Sequence, residues 1–321
     1  AVTFGTFFRR SNSAQVHRMS WIKQTKLTWL QSVAVRVLKA GKVPSHLAVI
    51  MDGNRRFARK QNMRSVEGHV QGFDKLAEVL YWCSELGVTE VTVYAFSIEN
   101  FKRSKDEVDG LLDLALQKLR NMLNEMDKIH EHGVCIRVLG NLSYLPVELQ
   151  QVVAEVVHET QGNSRCFLNI CLSYTSRDEI CKAMQELATG VEKGILSPSD
   201  VSEAALSQAM YSRKSRDPEL LIRTSGEVRL SDFMLWQSSR SVIEFTTVLW
   251  PEFTIWHLLA AILCYQRQCG LVEAFKSARP RERHSAEDLS LQRFIDDVET
   301  RWQERLQLMR LGQTAQEVVV T

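Results

Sequence analysis

The residues best suited to chemistry stand where apolar runs stop. His46 to Met51 is a short apolar run with the character of a buried strand, and it ends in Asp52-Gly53-Asn54, with Arg55 and Arg56 directly after. In an open α/β sheet, ligands bind outside the carboxyl ends of the strands. A carboxylate there can hold Mg²⁺, and arginines together with the N–H groups of a helix start can hold phosphate oxygens. The pattern predicts a diphosphate-plus-magnesium site. The plainer alternative is an Asp-Gly-Asn turn followed by a solvated basic helix.

Two further segments repeat the arrangement. Glu219 to Arg223 is an apolar run ending in arginine; a Thr-Ser-Gly turn follows, then Arg229 and Ser231 within one short loop. Two arginines, hydroxyls and a glycine suit a second phosphate group. Val91 to Phe96 is β-rich and ends in Ser97, Glu99 and Asn100, with Arg103 just beyond. Three strands that each end in polar and cationic residues predict one cleft for two multiply charged anions.

The elements that must position these residues can be read from periodicity and punctuation. Met19 to Ala40 reads as a basic amphipathic helix stopped by Gly41 and Pro44. Such a helix can lie on a membrane surface, dock on another subunit or pack on its own domain. Helices are expected over 68–86, before Gly87, and from a Ser104 cap to about Glu131, with Glu107 in capping-box position. Strands are expected over 134–139 and 166–173, with a helix after Pro146 between them, and further helices over 175–189, 199–209 and 254–266. Strands alternating with helices predict an α/β fold: a single domain with a central, mostly parallel β-sheet flanked by helices. Residues 42–277 form the expected catalytic domain, 19–41 the amphipathic helix, 1–18 a disordered extension, and 278–321 a charged helical tail after an Arg/Pro-rich break.

A chain of 321 residues with 45% hydrophobic content can bury a substantial core. The net charge of +2 gives no basic stripe, because the cations cluster at the motifs, so no nucleic-acid partner is expected. The seven cysteines include no Cys-x-x-Cys pair and mostly lie in apolar runs, which favours free thiols in a reducing compartment. No run reaches the roughly 18 apolar residues that suggest a bilayer span. There is no P-loop block and no Gly-x-Gly-x-x-Gly fingerprint.

The blocks Met-Asp-Gly-Asn-Arg-Arg, Tyr-Ala-Phe-Ser-Ile-Glu-Asn-Phe-Lys-Arg and Ile-Arg-Thr-Ser-Gly-Glu-Val-Arg-Leu-Ser-Asp-Phe occur in this order. They resemble the signature blocks of the cis-prenyltransferases, the undecaprenyl diphosphate synthase family, and within it the eukaryotic catalytic subunits that make dehydrodolichyl diphosphate. The resemblance runs from about Met19 to about Gln266. It implies condensation of isopentenyl diphosphate onto an allylic primer such as farnesyl diphosphate, giving long-chain polyprenyl diphosphate for dolichol synthesis and protein glycosylation. It assigns Asp52 to magnesium and diphosphate, and Gly53, Asn54, Arg55 and Arg56 to the allylic diphosphate. Arg103, Arg223, Arg229 and Ser231 carry over to isopentenyl diphosphate. His69, Ser97, Glu99 and Asn100 carry over to the neighbourhood of the reacting groups, with Asp52, Asn54 and Asn100 the catalytic set. The helix after Ser104 would wall a tunnel for the growing chain.

Three departures qualify the resemblance. The arginine that often stands four residues before His69 is replaced by Ser65, with Arg64 beside it. The position of a metal-binding glutamate is Val242, with Glu244 out of phase by two. The terminal Arg-x-Gly of self-sufficient members has only a distant counterpart, Arg310-Leu311-Gly312. The resemblance therefore implies a Nogo-B-receptor-type regulatory subunit that supplies the missing motif, with peripheral contact at the cytosolic face of the endoplasmic reticulum membrane. A non-catalytic partner subunit is the competing reading, disfavoured because Asp52, Arg56, Arg223, Arg229 and Ser231 are all present. The all-helical trans-type synthases need Asp-Asp-x-x-Asp, and Asp296-Asp297 is followed by Val298, Glu299 and Thr300.

Overall fold

A computed structural model describes residues 26–278 and 289–313. Six strands form one sheet: β1 (His46–Ile50), β2 (Glu90–Ser97), β3 (Val134–Leu139), β4 (Cys166–Tyr174), β5 (Leu220–Arg223) and β6 (Val242–Phe245). Their order is β3-β4-β2-β1-β5-β6 and every pairing is parallel. The chain leaves β1 towards β2 on one side and returns to it through β5 on the other. The carboxyl end of β1 is therefore a topological switch point, where such sheets form a ligand crevice.

Helices alternate with the strands: α1 (Trp29–Lys39), α2 (Asn54–Lys60), α3 (Ser65–Leu86), α4 (Lys105–Asn124), α5 (Met126–His132), α6 (Val147–Thr160), α7 (Ser176–Glu192), α8 (Glu203–Ala209), α9 (Ile255–Ala278) and α10 (Leu289–Arg310). Alternation along the strands divides the core. Leu47, Val49, Val91, Val93, Leu168 and Ile170 join the large cluster with α3, α4 and α6. Ala48, Ile50, Cys171 and Leu221 face the other way, onto Phe233 and Met234. That second face is polar at its lower end. The His46 ring bonds Thr92 Oγ1 (2.7 Å) and the Arg216 carbonyl (2.6 Å), and Asn169 donates to Glu90 and Thr92 (both 2.8 Å). All seven cysteines are free thiols.

Several elements differ from the sequence expectation. The first helix begins at Trp29, capped by Thr28 with Gln31 in a reciprocal box, while 26–28 are non-helical. The extension 1–18 and the start of the expected amphipathic segment lie outside the described residues, as does most of the Arg/Pro-rich break. The long helix from Ser104 is two helices, parted at Glu125. The Ser104 side chain makes no cap bond, and Glu107 instead accepts a hydrogen bond from the Arg103 guanidinium at 2.9 Å. A charged donor at that distance outcompetes a neutral backbone N–H for the carboxylate. α9 continues past Gln266 to Ala278.

Two glycines set how closely α2 lies on α3. A Cβ on Gly68 would stand 2.5 Å from the Asn54 carbonyl oxygen, and one on Gly72 would stand 2.3 Å from Asn54 Oδ1. Trp250, buried beside them, donates its indole N–H to the Gly72 carbonyl at 2.6 Å. The approach holds the start of α2, and so Asn54 to Arg56, against the rest of the molecule. Gly68→Ala must push α2 away and is expected to cost about 1–3 kcal/mol. A fall in the urea midpoint at unchanged slope would show this; a wild-type midpoint would mean the helices are not in tight contact.

Candidate active site

β1 delivers Asp52 one residue beyond Met51. Thr224 Oγ1 and the Trp250 N–H both donate to the Asp52 carbonyl, at 2.7 and 3.0 Å, which fixes the backbone there. Gly53 follows with φ at 110°, and a Cβ on it would press Leu249, so a glycine is required. Asp52 Oδ1 accepts the Gly53 N–H (2.7 Å) and Oδ2 accepts Arg223 Nη2 (2.8 Å). Burial opposes the carboxylate's charge. The Arg223 hydrogen bond and charge, with help from Ser225 and the Gly53 N–H, outweigh it and hold the pKa below the ordinary value.

Arg223 is the best-enclosed cation of the site, 3% exposed at the end of β5. Besides Asp52 it donates to Ser231 Oγ (2.7 Å) and to the Arg229 carbonyl. It thereby joins the β1 end to the loop that carries Arg229 and Ser231. Arg56 donates to Ser225 Oγ and lies 3.7 Å from Glu227, which also pairs with Arg229. Arg103 and Arg55 share Glu107, at 2.9 and 3.9 Å. Beyond β2, Ser97 Oγ accepts the Glu99 N–H (3.2 Å) and Asn100 Oδ1 accepts the Ser97 N–H (3.0 Å), so both build the turn that positions Glu99. Glu99 pairs with Lys102 at 2.5 Å and Arg177 at 3.5 Å.

These side chains line one cleft of about 740 Å³. Asp52, Gly53, Asn54, Arg55, Arg56, His69, Ser97, Glu99, Asn100, Arg103, Arg223, Arg229 and Ser231 all reach it. The cleft shares Met51, Asn54, His69, Ala95, Phe96 and Leu111 with an apolar cavity of about 120 Å³ that continues between α3, α4 and the sheet. Farther down the same walls, Leu80, Val91, Met122 and Ile129 line another cavity of about 440 Å³. A strongly cationic mouth thus opens onto hydrocarbon-like space, which suits a ligand with a charged head and an apolar tail.

His69 stands at this junction on α3. Its Nε2 is buried without a hydrogen-bond partner, as is Asn54 Oδ1. Desolvation lowers the imidazole pKa to about 4, helped by Arg103 and Arg55 and opposed by Glu107. The ring is therefore neutral at pH 7 and has an unused ring nitrogen at the boundary of the two spaces.

Sequence reasoning missed Arg59, Tyr94, Arg177, Glu227 and Asp232, all of which line the cleft. Arg59 follows Arg55 at helical spacing, and Arg177 follows the end of β4 as Arg55 follows β1, so both signals were available. Of the three departures, none brings a compensating group into the cleft. Arg64 is exposed and paired with Glu67 at 2.8 Å. Val242 is core, and Glu244 interacts with Cys264 of α9. Arg310 pairs with Glu155 of α6 at 2.7 Å, and Gly312 lies beside Gln151, so the distant Arg-x-Gly is not part of this site.

A divalent cation fits this donor set in one way. Among the described residues no group of three His, Cys, Asp or Glu could cage a metal. Asp52 supplies one ionised carboxylate beside a ring of arginines. Mg²⁺ is commonly held by one or two carboxylates together with substrate phosphates and water, and that mode suits Asp52.

The fold and site define a class of enzyme. Residues 50–270 match the family model for undecaprenyl diphosphate synthase, and the chain belongs to this family of cis-prenyltransferases, which synthesise polyprenyl diphosphates. It is 56% identical over 265 residues to the mouse dehydrodolichyl diphosphate synthase complex subunit, spanning 83% of this chain and 80% of that one. Identity to the human counterpart is 54% with the same coverage. An isoprenyl transferase of Geobacillus kaustophilus is 43% identical over 70% of this chain and 87% of its own. Among solved structures, lavandulyl diphosphate synthase from Lavandula x intermedia, in complex with dimethylallyl diphosphate, superimposes with a TM-score of 0.66 at 33% identity. The match covers 70% of this chain and 95% of that one.

The depressed His69 pKa has a stability consequence. Between the unfolded value near 6.5 and the folded value of about 4, the unfolded chain binds a proton that the folded chain does not. Wild-type stability is therefore full above pH 6.5 and falls relative to His69→Gln as pH drops towards 4, by about 3 kcal/mol. Parallel pH–stability curves for the two proteins would show that the histidine is solvated.

Proposed function

We propose that this chain is the catalytic component of a cis-prenyltransferase that adds isopentenyl diphosphate to farnesyl diphosphate or a similar allylic primer, yielding dehydrodolichyl-type polyprenyl diphosphate. The observation that carries the reading is the single cleft in which Asp52 and the arginines of three strand ends open onto an apolar cavity. The non-catalytic alternative does not account for a fully furnished cationic cleft.

In this reading Arg55 and Arg56 hold the allylic diphosphate beside Asp52, and Arg229, Ser231 and Arg103 hold isopentenyl diphosphate. Bound Mg²⁺ would neutralise part of the charge that grows on the leaving diphosphate. The arginines, held in advance by Glu107, Glu227 and Ser225, meet the same charge without reorganising. As the allylic C–O bond breaks, the alkene of isopentenyl diphosphate attacks and a proton is lost. The apolar walls exclude water from the cationic carbon and receive the lengthening tail.

The reading extends to assembly. The mouse and human relatives are named as complex subunits. Among the described residues, neither Glu244 of β6 nor Arg310 and Gly312 line the cleft. Trp29, Leu30 and Val37 on α1, and Leu263, Leu271 and Phe275 on α9, are exposed apolar side chains on two helices that pack together. No described helix is long and apolar enough to cross a membrane. We therefore expect a Nogo-B-receptor-type subunit to complete the site, with the assembly held peripherally at the cytosolic face of the endoplasmic reticulum.

Incorporation of radiolabelled isopentenyl diphosphate with farnesyl diphosphate and Mg²⁺, with and without that partner, tests the activity. Strong incorporation with the partner and weak incorporation alone is expected; full processive activity alone would overturn the assembly reading. Asp52→Ala should lower kcat by ~100-fold or more with the fold intact, as loss of a preorganised electrostatic group does. Near-normal turnover at saturating Mg²⁺ would remove Asp52 from the mechanism. Arg229→Ala should chiefly raise the isopentenyl KM and Arg56→Ala the allylic KM, because guanidinium contacts are local. Arg223→Ala should harm both, since Arg223 braces Asp52 and Ser231 together. The reverse pattern for Arg229 and Arg56 would interchange the two anion sites.

A further inference from the structure

The loop after β5 holds an unfavourable backbone shape. Ser225 (φ 80°), Ser231 (50°), Asp232 (61°) and Met234 (46°) all lie in the left-handed region without being glycine. Such conformations persist only where the surroundings over-determine them. The loop also carries Arg229 and Ser231 into the cleft, so its shape decides where one anion site stands.

What holds it is the first turn of α7. The Ser176 N–H donates to the Asp232 carbonyl (2.8 Å), and the Leu235 N–H donates back to Ser176 Oγ (2.8 Å). Arg177 adds two bonds to one carboxylate: its N–H to Asp232 Oδ1 (3.2 Å) and its Nε to Oδ2 (2.7 Å). The Tyr94 hydroxyl donates to the Ser231 carbonyl at 3.3 Å. The same Arg177 guanidinium faces Glu99 at 3.5 Å on the turn after β2. An exposed ion pair of this kind is ordinarily worth little. Here the carboxylate is largely buried, with a side-chain exposure of 12%, and four bonds converge on residues 232–235, where the backbone is least favourable alone.

We propose that Arg177 and Asp232 form a clasp that keeps the 225–235 loop in its ligand-ready shape, making both positioning residues for the diphosphate held by Arg229 and Ser231. The identity of that ligand as isopentenyl diphosphate rests on the function proposed above; the clasp itself does not. Arg177 ties together the ends of β2, β4 and β5, three of the strand ends that frame the cleft. Its loss would let Ser231 and Asp232 relax to ordinary backbone angles and withdraw the Ser231 hydroxyl from the Arg223 guanidinium.

The test uses the full chain with its partner subunit and the variants Asp232→Asn, Arg177→Met and Arg177→Lys. Amide hydrogen exchange over 225–235 should quicken by about 10-fold or more in Asp232→Asn and Arg177→Met while core strands keep wild-type protection. The isopentenyl KM should rise about 10-fold with the farnesyl KM within about 2-fold, and Arg177→Lys should recover part of the loss. Unchanged exchange in the loop overturns the clasp, whatever the kinetics. Faster exchange with both KM values unchanged, or raised equally, overturns its positioning role. Wild-type protein with no isopentenyl incorporation would refute the proposed function instead, and the exchange measurement would still decide the clasp.

Discussion

The bond between Arg223 and Asp52 organises this molecule. A guanidinium with 3% exposure at the end of a central strand cannot stand unpaired, because an isolated buried charge costs several kcal/mol. Asp52, delivered by the neighbouring strand with Ile50 opposite Arg223, meets it at 2.8 Å. One interaction therefore joins the two strands on one side of the switch point and draws in Ser231 and the Arg229 carbonyl. Most cations at the cleft rim have an anchoring carboxylate or hydroxyl behind them: Glu107 for Arg55 and Arg103, Glu227 for Arg229, Ser225 for Arg56, Asp232 for Arg177. The site is a set of like charges kept close by smaller groups behind them, and an anionic ligand would relieve what repulsion remains.

The second constraint is the sharp change of medium at the cleft floor. Asn54 and His69 lie on the boundary with buried polar atoms that have no protein partner, an arrangement expected to cost stability unless a ligand uses them. Below them the walls are mostly aliphatic and aromatic, with Lys118 the charged exception. α2 and α3 can frame this boundary only because Gly68 and Gly72 let them touch. Fold and site thus depend on each other: the parallel sheet sets the strand ends side by side, and the close helix pair divides charged space from apolar space.

Much of this was legible in the chain. Asp52-Gly53-Asn54-Arg55-Arg56, Ser97 to Arg103 and Arg223 to Ser231 each follow an apolar run, and the strand-end rule alone gathers them. The parallel α/β architecture followed from alternation. What was hidden depended on competition between side chains. The spacing of Ser104 and Glu107 predicts a capping box, but the Arg103 guanidinium takes the Glu107 carboxylate. Arg223 reads from sequence as a phosphate ligand; its burial and its bonds to Asp52, Ser231 and the Arg229 carbonyl, which sequence does not show, also make it a brace between the β1 end and the 225–235 loop. The beginning of α1 depended on a Thr28–Gln31 box that the longer amphipathic pattern obscured. Arg177 and Asp232 lie far apart in sequence, and only the shape of the 225–235 loop reveals why they meet.

The central claim is that one cleft holds two diphosphates at once, one on each side of the Arg223–Asp52 bond. Equilibrium titration with Mg²⁺ present tests this most directly, using a non-reacting thiodiphosphate analogue of farnesyl diphosphate and isopentenyl diphosphate. Each ligand should bind with one site per chain, and saturation with the analogue should leave the isopentenyl diphosphate site available. Mutual displacement, with one ligand bound only at the expense of the other, would show a single anion site and contradict it.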